Sequence, residues 1–363
     1  MPWAPTSSSP AESGRIRENE SWTLGWIKSW INSPFTIVFH VLFAIVVVLL
    51  ASTRSSLVTR APSMSDADTC VSHDSPNPHA LQYPELISGT LNGTTLIVPI
   101  PLTQARMLIP SKYRIAESVY RSLLPSFPEG MYPMVAQIVH DHDIQFPAYN
   151  ASLPDFSRAS FEFPFVDVLG TGHSSFRWAG TMLISASNQM AIDGSRSYGM
   201  SAHAAAFDPP CDAYRALPDG STFAHSRGMP EIGNINADAN DTQSSSSSSS
   251  SSSSTTAKFM TLETRPLPEA AAATIPYPLD FVRNVTNQPV FAGDAAKCDY
   301  YQRLFDTALT TGSNAPVPVS GRVSANLEPF AAAQSWGGGA DAGVFGWRLA
   351  TAFLEPPAVE ECR

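Results

Sequence analysis

His203, Asp167, Arg196 and Tyr198 are the side chains of this 363-residue chain whose types suit proton transfer on a small polar molecule. A histidine changes charge near neutral pH, so His203 can serve as a general acid or base, with Asp167 to orient it. Arg196 can hold a substrate carboxylate in a two-pronged hydrogen bond. Tyr198 can donate to a carbonyl or enolate oxygen. Such a set suits enolisation, dehydration or isomerisation of a keto acid or polyketide-like molecule. Three of the four fall in one stretch, GSRSYGMSAH, residues 194–203. The plainer alternative is a hydrogen-bonded structural histidine and an arginine held in a structural ion pair.

A second cluster is HDHD, residues 140–143. On a strand its two histidines share one face and its two aspartates the other. Two histidines can begin a metal site, but a third ligand is needed, and His173 or His203 would have to supply it. The four cysteines have no C-x-x-C spacing, so zinc is not expected. Neither a nucleophile elbow nor a nucleotide fingerprint occurs, and the glycine cluster at 335–343 has no phosphate-loop lysine. No metal and no cofactor are expected.

Charge and composition narrow the classes. The formal charge is −10, charged residues are 15% of the chain and only four lysines occur, Lys28, Lys112, Lys258 and Lys297. That balance leaves no electrostatic footprint for nucleic acid. The 31 prolines favour strands and loops over long helices.

Between Ser29 and Thr53 there is no charged side chain. About 20 apolar residues span a bilayer, so residues 33–53 are expected to form a transmembrane helix. Trp22, Trp26 and Trp30, spaced by four, suit the headgroup zone. The apolar run starts too late for an ordinary cleaved signal peptide, which favours an uncleaved signal-anchor. All four cysteines (Cys70, Cys211, Cys298, Cys362) and four glycosylation sequons (Asn92, Asn150, Asn240, Asn284) follow the span. An even cysteine count admits two disulfides in three connectivities. Together these features predict a single-pass type II membrane protein with a lumenal or extracellular C-terminal domain.

The chain then divides into a polar cytosolic tail (1–32), the span (33–53), a stalk (54–80) and one folded domain (81–363). A low-complexity serine loop at 243–256 interrupts the domain, with serine at every position from 244 to 254. TTLIVPIPL, YPMVAQIVH, FEFPFVDVL, TMLISAS and AKFMTLETRPL are predicted strands, and the serine run is placed in a hairpin loop. LTQARMLIP and DYYQRLFDTAL are predicted short helices. The fold class is mostly β.

The order of these segments over most of residues 88–355 resembles the acetoacetate decarboxylase superfamily, which includes lysine-lacking relatives and fungal pathway enzymes. The resemblance rests on TTLIVPIPLTQARMLIP, VAQIVHDHD, FPFVDVL, GSRSYGMSAH and YQRLFDTALTTGSNAPVPV. It implies a cone-shaped antiparallel β-barrel with a central polar pocket and a few short helices. In the family a lysine forms a Schiff base with a β-keto acid, and an adjacent lysine keeps it unprotonated. The matching positions here are Ala202 and His203, and residues 113–257 contain no lysine. The family's two pocket glutamates match Gln137 and, best, Asp167. Its arginine near the opening strand has no counterpart between Leu81 and Gln104, so that contact is missing or comes from elsewhere. The His-Asp of VAQIVHDHD points to a structural or substrate-contact role for His142.

The expectation is therefore a membrane-anchored protein of this superfamily, leaning to an enzyme of lyase or isomerase type. It would act on a small keto acid or polyketide-like intermediate by lysine-independent acid–base chemistry, with His203, Asp167 and Arg196 catalytic and Gln137, Tyr198 and His142 binding substrate. A non-catalytic ligand-binding barrel and a decarboxylase with a displaced lysine are the alternatives. Expected partners are the small ligand, the membrane through 33–53, no nucleic acid, and a second copy of the chain if it oligomerises.

Overall fold

A computed structural model describes residues 71–230, 257–293, 297–305, 307–338 and 343–363. The expected tail, membrane span and most of the stalk, together with Asn240 and the serine run, lie outside the described residues. Among those described, no helix is long and apolar enough to cross a membrane.

Nine strands close into a barrel. They are β1 (Ile87–Pro101), β2 (Met131–Phe146), β3 (Phe156–Asp167), β4 (Thr181–Ser185) and β5 (Ser201–Asp208). β6 (Thr222–Gly228), β7 (Phe259–Pro266), β8 (Val317–Asn326) and β9 (Phe345–Glu355) complete it. The hydrogen-bonded order is β3-β4-β5-β6-β7-β8-β9-β1-β2, and a β2–β3 pairing closes the ring. The antiparallel barrel implied by the resemblance holds with one departure: β4 and β5 run parallel. Parallel neighbours need a crossover, and helix α3 below is part of it. β6 and β7, which flank the serine run, pair antiparallel as a hairpin's strands do. Among the described residues the helices of seven or more residues are α1 (Leu102–Leu108), α2 (Glu117–Leu123), α3 (Gln189–Ser197) and α4 (Leu279–Thr286).

Register sorts every strand into two faces. The inner face carries Leu96, Phe161, Leu183, Ala205, Met260 and Val323, all buried in one apolar core. On β6, β7 and β8 the outer face carries the exposed Arg227, Glu263, Arg265 and Arg322. α3 packs on the outer face of β4 and β5, and the segment that carries Arg303 pairs alongside β9. The barrel interior is thus apolar, and the polar cavity described below lies against the outside of its wall rather than at its centre.

Two stretches differ from expectation. Residues 71–80, expected as the end of a stalk, pack on the barrel: Asp74 accepts from Asn92 and meets His140, and the Asn77 backbone N–H donates to Asp143. DYYQRLFDTAL is not a helix. Gln302–Leu304 pairs with β9, and only Ala308–Thr310 turns as a single 3-10 turn. The reason is visible in the alternation: Tyr301, Arg303 and Phe305 are buried while Gln302 is exposed, the period-two pattern of a strand.

Cys298 and Cys362 form a disulfide that ties the C-terminus to the segment leading into Tyr301, and Cys211 is also disulfide-bonded. The three described sequons differ. Asn92 sits in β1, paired on both sides, with its amide committed to Asp74. Asn150 is exposed at a turn. Asn284 is exposed on α4, but the hydroxyl of its partner Thr286 is buried and donates to the Val282 carbonyl.

Candidate functional site

A cavity of about 310 Å³ lies against the β9-β1-β2-β3-β4 wall, lined on its other side by residues of α3 and by Val290, Asp299, Tyr301 and Arg303. Its walls combine Ile87, Leu91, Phe156, Met182 and Phe353 with an unusual density of charge: Arg158, Arg177, Arg303, Asp141, Glu162, Asp299 and Glu355. Charges taken from water must be paired or they destabilise the fold. Most of these are paired. Arg158 reaches Asp141 through Nε at 2.8 Å and Nη2 at 3.3 Å. Arg177 Nη1 donates to Glu162 Oε2 at 2.7 Å, and Gln137 Nε2 donates to Glu162 Oε1 at 2.5 Å.

Arg303 is the exception. It is 3% exposed, yet its Nε and Nη1 donate only to the hydroxyls of Thr351 (3.1 Å) and Thr95 (3.5 Å). Its Nη2 has no hydrogen-bond partner, and neither has the Nε of Arg177. Among the described residues no carboxylate lies within ion-pair reach of Arg303. Burial, with the cations of Arg158 and Arg177 nearby, pushes its pKa down to about 10. Thr95 belongs to β1, so that strand meets a guanidinium brought by residue 303.

A second unpaired set completes the cavity. Asp299 and Glu355 line it and have no ion-pair partner among the described residues. Burial raises the pKa of Asp299 to about 6. Burial and the charge of Asp299 raise that of Glu355 well above the usual carboxylate range. Tyr198, at the C-terminal end of α3, is raised to about 12 by burial and by these two carboxyls.

The residues singled out in the sequence separate into two groups. Gln137 and Tyr198 line the cavity. His203, Asp167, Arg196 and His142 do not. His203 stands opposite Leu183 in register and so takes the inner face, near Glu328. Its neighbour Ala202, the position where the resemblance puts the Schiff-base lysine, stands beside Met182 of the cavity wall. Arg196 donates through Nε to the Ala202 carbonyl at 3.0 Å. His142 Nδ1 meets Asp155 at 2.6 Å.

Asp167 falls beyond an irregularity of β3, where Phe165 takes φ +61°. There it accepts from the backbone N–H of Thr171 and Gly172 and from the Ser174 hydroxyl, which outweigh burial and hold its pKa below the ordinary range. Five residues earlier on the same strand, Glu162 occupies the cavity. Asp167→Asn is expected to cost roughly 1–2 kcal/mol in urea unfolding through these loop bonds, with anion binding in the cavity unchanged by calorimetry.

The solved structures that this fold is similar to include an acetoacetate decarboxylase-like enzyme from Sphingomonas wittichii RW1. It is 7% identical, with 77% of this chain and 94% of that one covered and a TM-score of 0.35. The enduracididine biosynthesis enzyme MppR with HEPES buffer bound is 8% identical over 76% of this chain and 86% of that one, with a TM-score of 0.37. The same enzyme complexed with the condensation product of pyruvate and imidazole 4-carboxaldehyde is 7% identical, covering 76% and 88%, with a TM-score of 0.35. At these values the likeness concerns the course of the chain and assigns no residue a role. No protein-family model and no curated protein matches the sequence.

Proposed function

We propose that the cavity binds a small organic anion, a keto acid or polyketide-like acid, and that the domain processes it by acid–base chemistry without a Schiff base. The observation that carries this reading is Arg303, a buried guanidinium in the cavity wall whose Nη2 has no partner and which has no carboxylate within ion-pair reach among the described residues. A carboxylate is its natural complement, because a planar two-oxygen anion accepts from adjacent guanidinium N–H groups. No lysine lines the cavity, and the position of the expected nucleophile is Ala202. Residues 33–53 anchor the chain as a type II membrane protein with this domain in a lumenal or extracellular space. The apolar run and the disulfide-bonded cysteines support that placement.

The test is a thermal-shift series pairing short-chain oxo acids with their uncharged amides. The acids are expected to raise Tm in proportion to the logarithm of concentration, and the amides to leave it unchanged. Borohydride added with an oxo acid is expected to trap no adduct. Equal stabilisation by the amides, or a trapped imine, would overturn the reading.

A further inference from the structure

We infer that Asp299 and Glu355 are the acid–base pair of this cavity, and that the substrate is a short-chain oxo acid whose carboxylate rests on Arg303 while its carbonyl and neighbouring C–H face the two carboxyls. The inference builds on the anion-binding reading and adds the reacting groups. Three observations support it. Asp299, Tyr301 and Arg303 occupy alternate positions of one segment and all line the same cavity. Four residues of chain span at most about 14 Å, which keeps Asp299 and the long Arg303 side chain within one small cavity. Arg158 and Arg177 are taken by Asp141 and Glu162, so among the described residues Arg303 has no carboxylate in ion-pair reach and Asp299 and Glu355 have no cation in reach, Asp299 Oδ1 accepting from the Tyr301 backbone N–H at 2.9 Å.

The surroundings set the protonation. The pair faces Tyr198 from α3, Tyr301 from its own segment, Arg158 and Asp141 from the sheet, and Arg177 from its flank. Burial and the charge of Asp299 favour the neutral form of Glu355, which suits it to donate, while the Tyr301 backbone N–H at 2.9 Å from Asp299 Oδ1 favours the carboxylate that accepts. In the forward step the Asp299 carboxylate takes the proton from the carbon next to the carbonyl. The electron pair of that C–H bond becomes the C=C bond, and the C=O π pair moves to oxygen, which takes the Glu355 proton. The product is the enol, and reversal restores both acids, so no co-reactant is consumed.

In D₂O this step exchanges the substrate's α-protons, which NMR reads directly. Two probes, 2-oxobutyrate and 4-oxopentanoate, place the carbonyl at different distances from the carboxylate. The folded chain is expected to accelerate exchange of at least one, with a rate that rises through about pH 6 as Asp299 ionises and falls again once Glu355 gives up its proton. Asp299→Asn and Glu355→Gln, near-isosteric and each removing a buried ionisable group, are each expected to lose about 100-fold or more, the usual weight of general acid–base catalysis. Oxo-acid thermal shifts on the same samples report folding and the Arg303 site separately. Wild-type-like exchange in both variants, or no exchange by the wild type between pH 5 and 9, overturns the inference. If the acids still bind in that case, the anion-binding reading stands alone; if they do not, both fall.

Discussion

Arg303→Met is expected to stabilise the domain and abolish anion binding in the same variant. The wild-type guanidinium is buried with no carboxylate in ion-pair reach among the described residues, and one of its nitrogens has no partner. An uncompensated charge of this kind costs free energy, and replacing it with an apolar side chain of similar length removes the cost. A gain of roughly 1–2 kcal/mol in chemical unfolding is expected, in keeping with sites that give up stability for function. Binding of an oxo acid, measured by calorimetry, is expected to weaken by about 30-fold to 1000-fold, the loss of a buried charge-assisted contact worth roughly 2–4 kcal/mol. A variant that loses stability while still binding the acid would make Arg303 a structural residue held by Thr95 and Thr351.

The opposite sign is expected one step along the same wall. Glu162 and Arg177 are 3% and 4% exposed and meet at 2.7 Å, with Gln137 fastening the second carboxylate oxygen. Glu162→Ala strands the Arg177 cation and the Gln137 amide together. Breaking one side of a buried pair typically costs about 3–5 kcal/mol, enough to unfold a domain of ordinary stability at modest denaturant. The double variant Glu162→Leu with Arg177→Met is expected to recover most of that loss, since it removes both charges and leaves apolar volume. A double-mutant cycle in urea reads the coupling directly. Additive losses would mean that the two side chains do not depend on each other.

The barrel was legible because its strands are long apolar runs bounded by turn residues, as in TTLIVPIPL and TMLISAS. The cavity was legible only in part. Gln137 lies within a strand whose register is set by the apolar pattern around it. Tyr198 follows a helix end that the GSRSYG stretch marks. The rest depended on features that one sequence conceals. A strand of three residues, Gln302–Leu304, carries too little pattern to compete with the helical spacing of DYYQRLFDTAL, yet its segment delivers Asp299, Tyr301 and Arg303. The buried alternation from Tyr301 to Phe305 was the available signal. Side-chain parity is equally unforgiving: Ala202 and His203 are adjacent, so a strand must turn them to opposite faces, and it turns the histidine inward. The shift near Phe165 likewise removed Asp167 from the wall that Glu162 occupies.

In the proposed function, Arg303 holds a substrate carboxylate in the cavity against the outer barrel wall. A crystal structure of the disulfide-bonded domain with 2-oxobutyrate at saturating concentration reads this contact. The expected result is a carboxylate accepting from Arg303 Nη2, with the carbonyl end turned toward Asp299 and Glu355. The acid bound elsewhere, or Arg303 Nη2 filled by a protein group with the cavity unchanged by ligand, would contradict the claim.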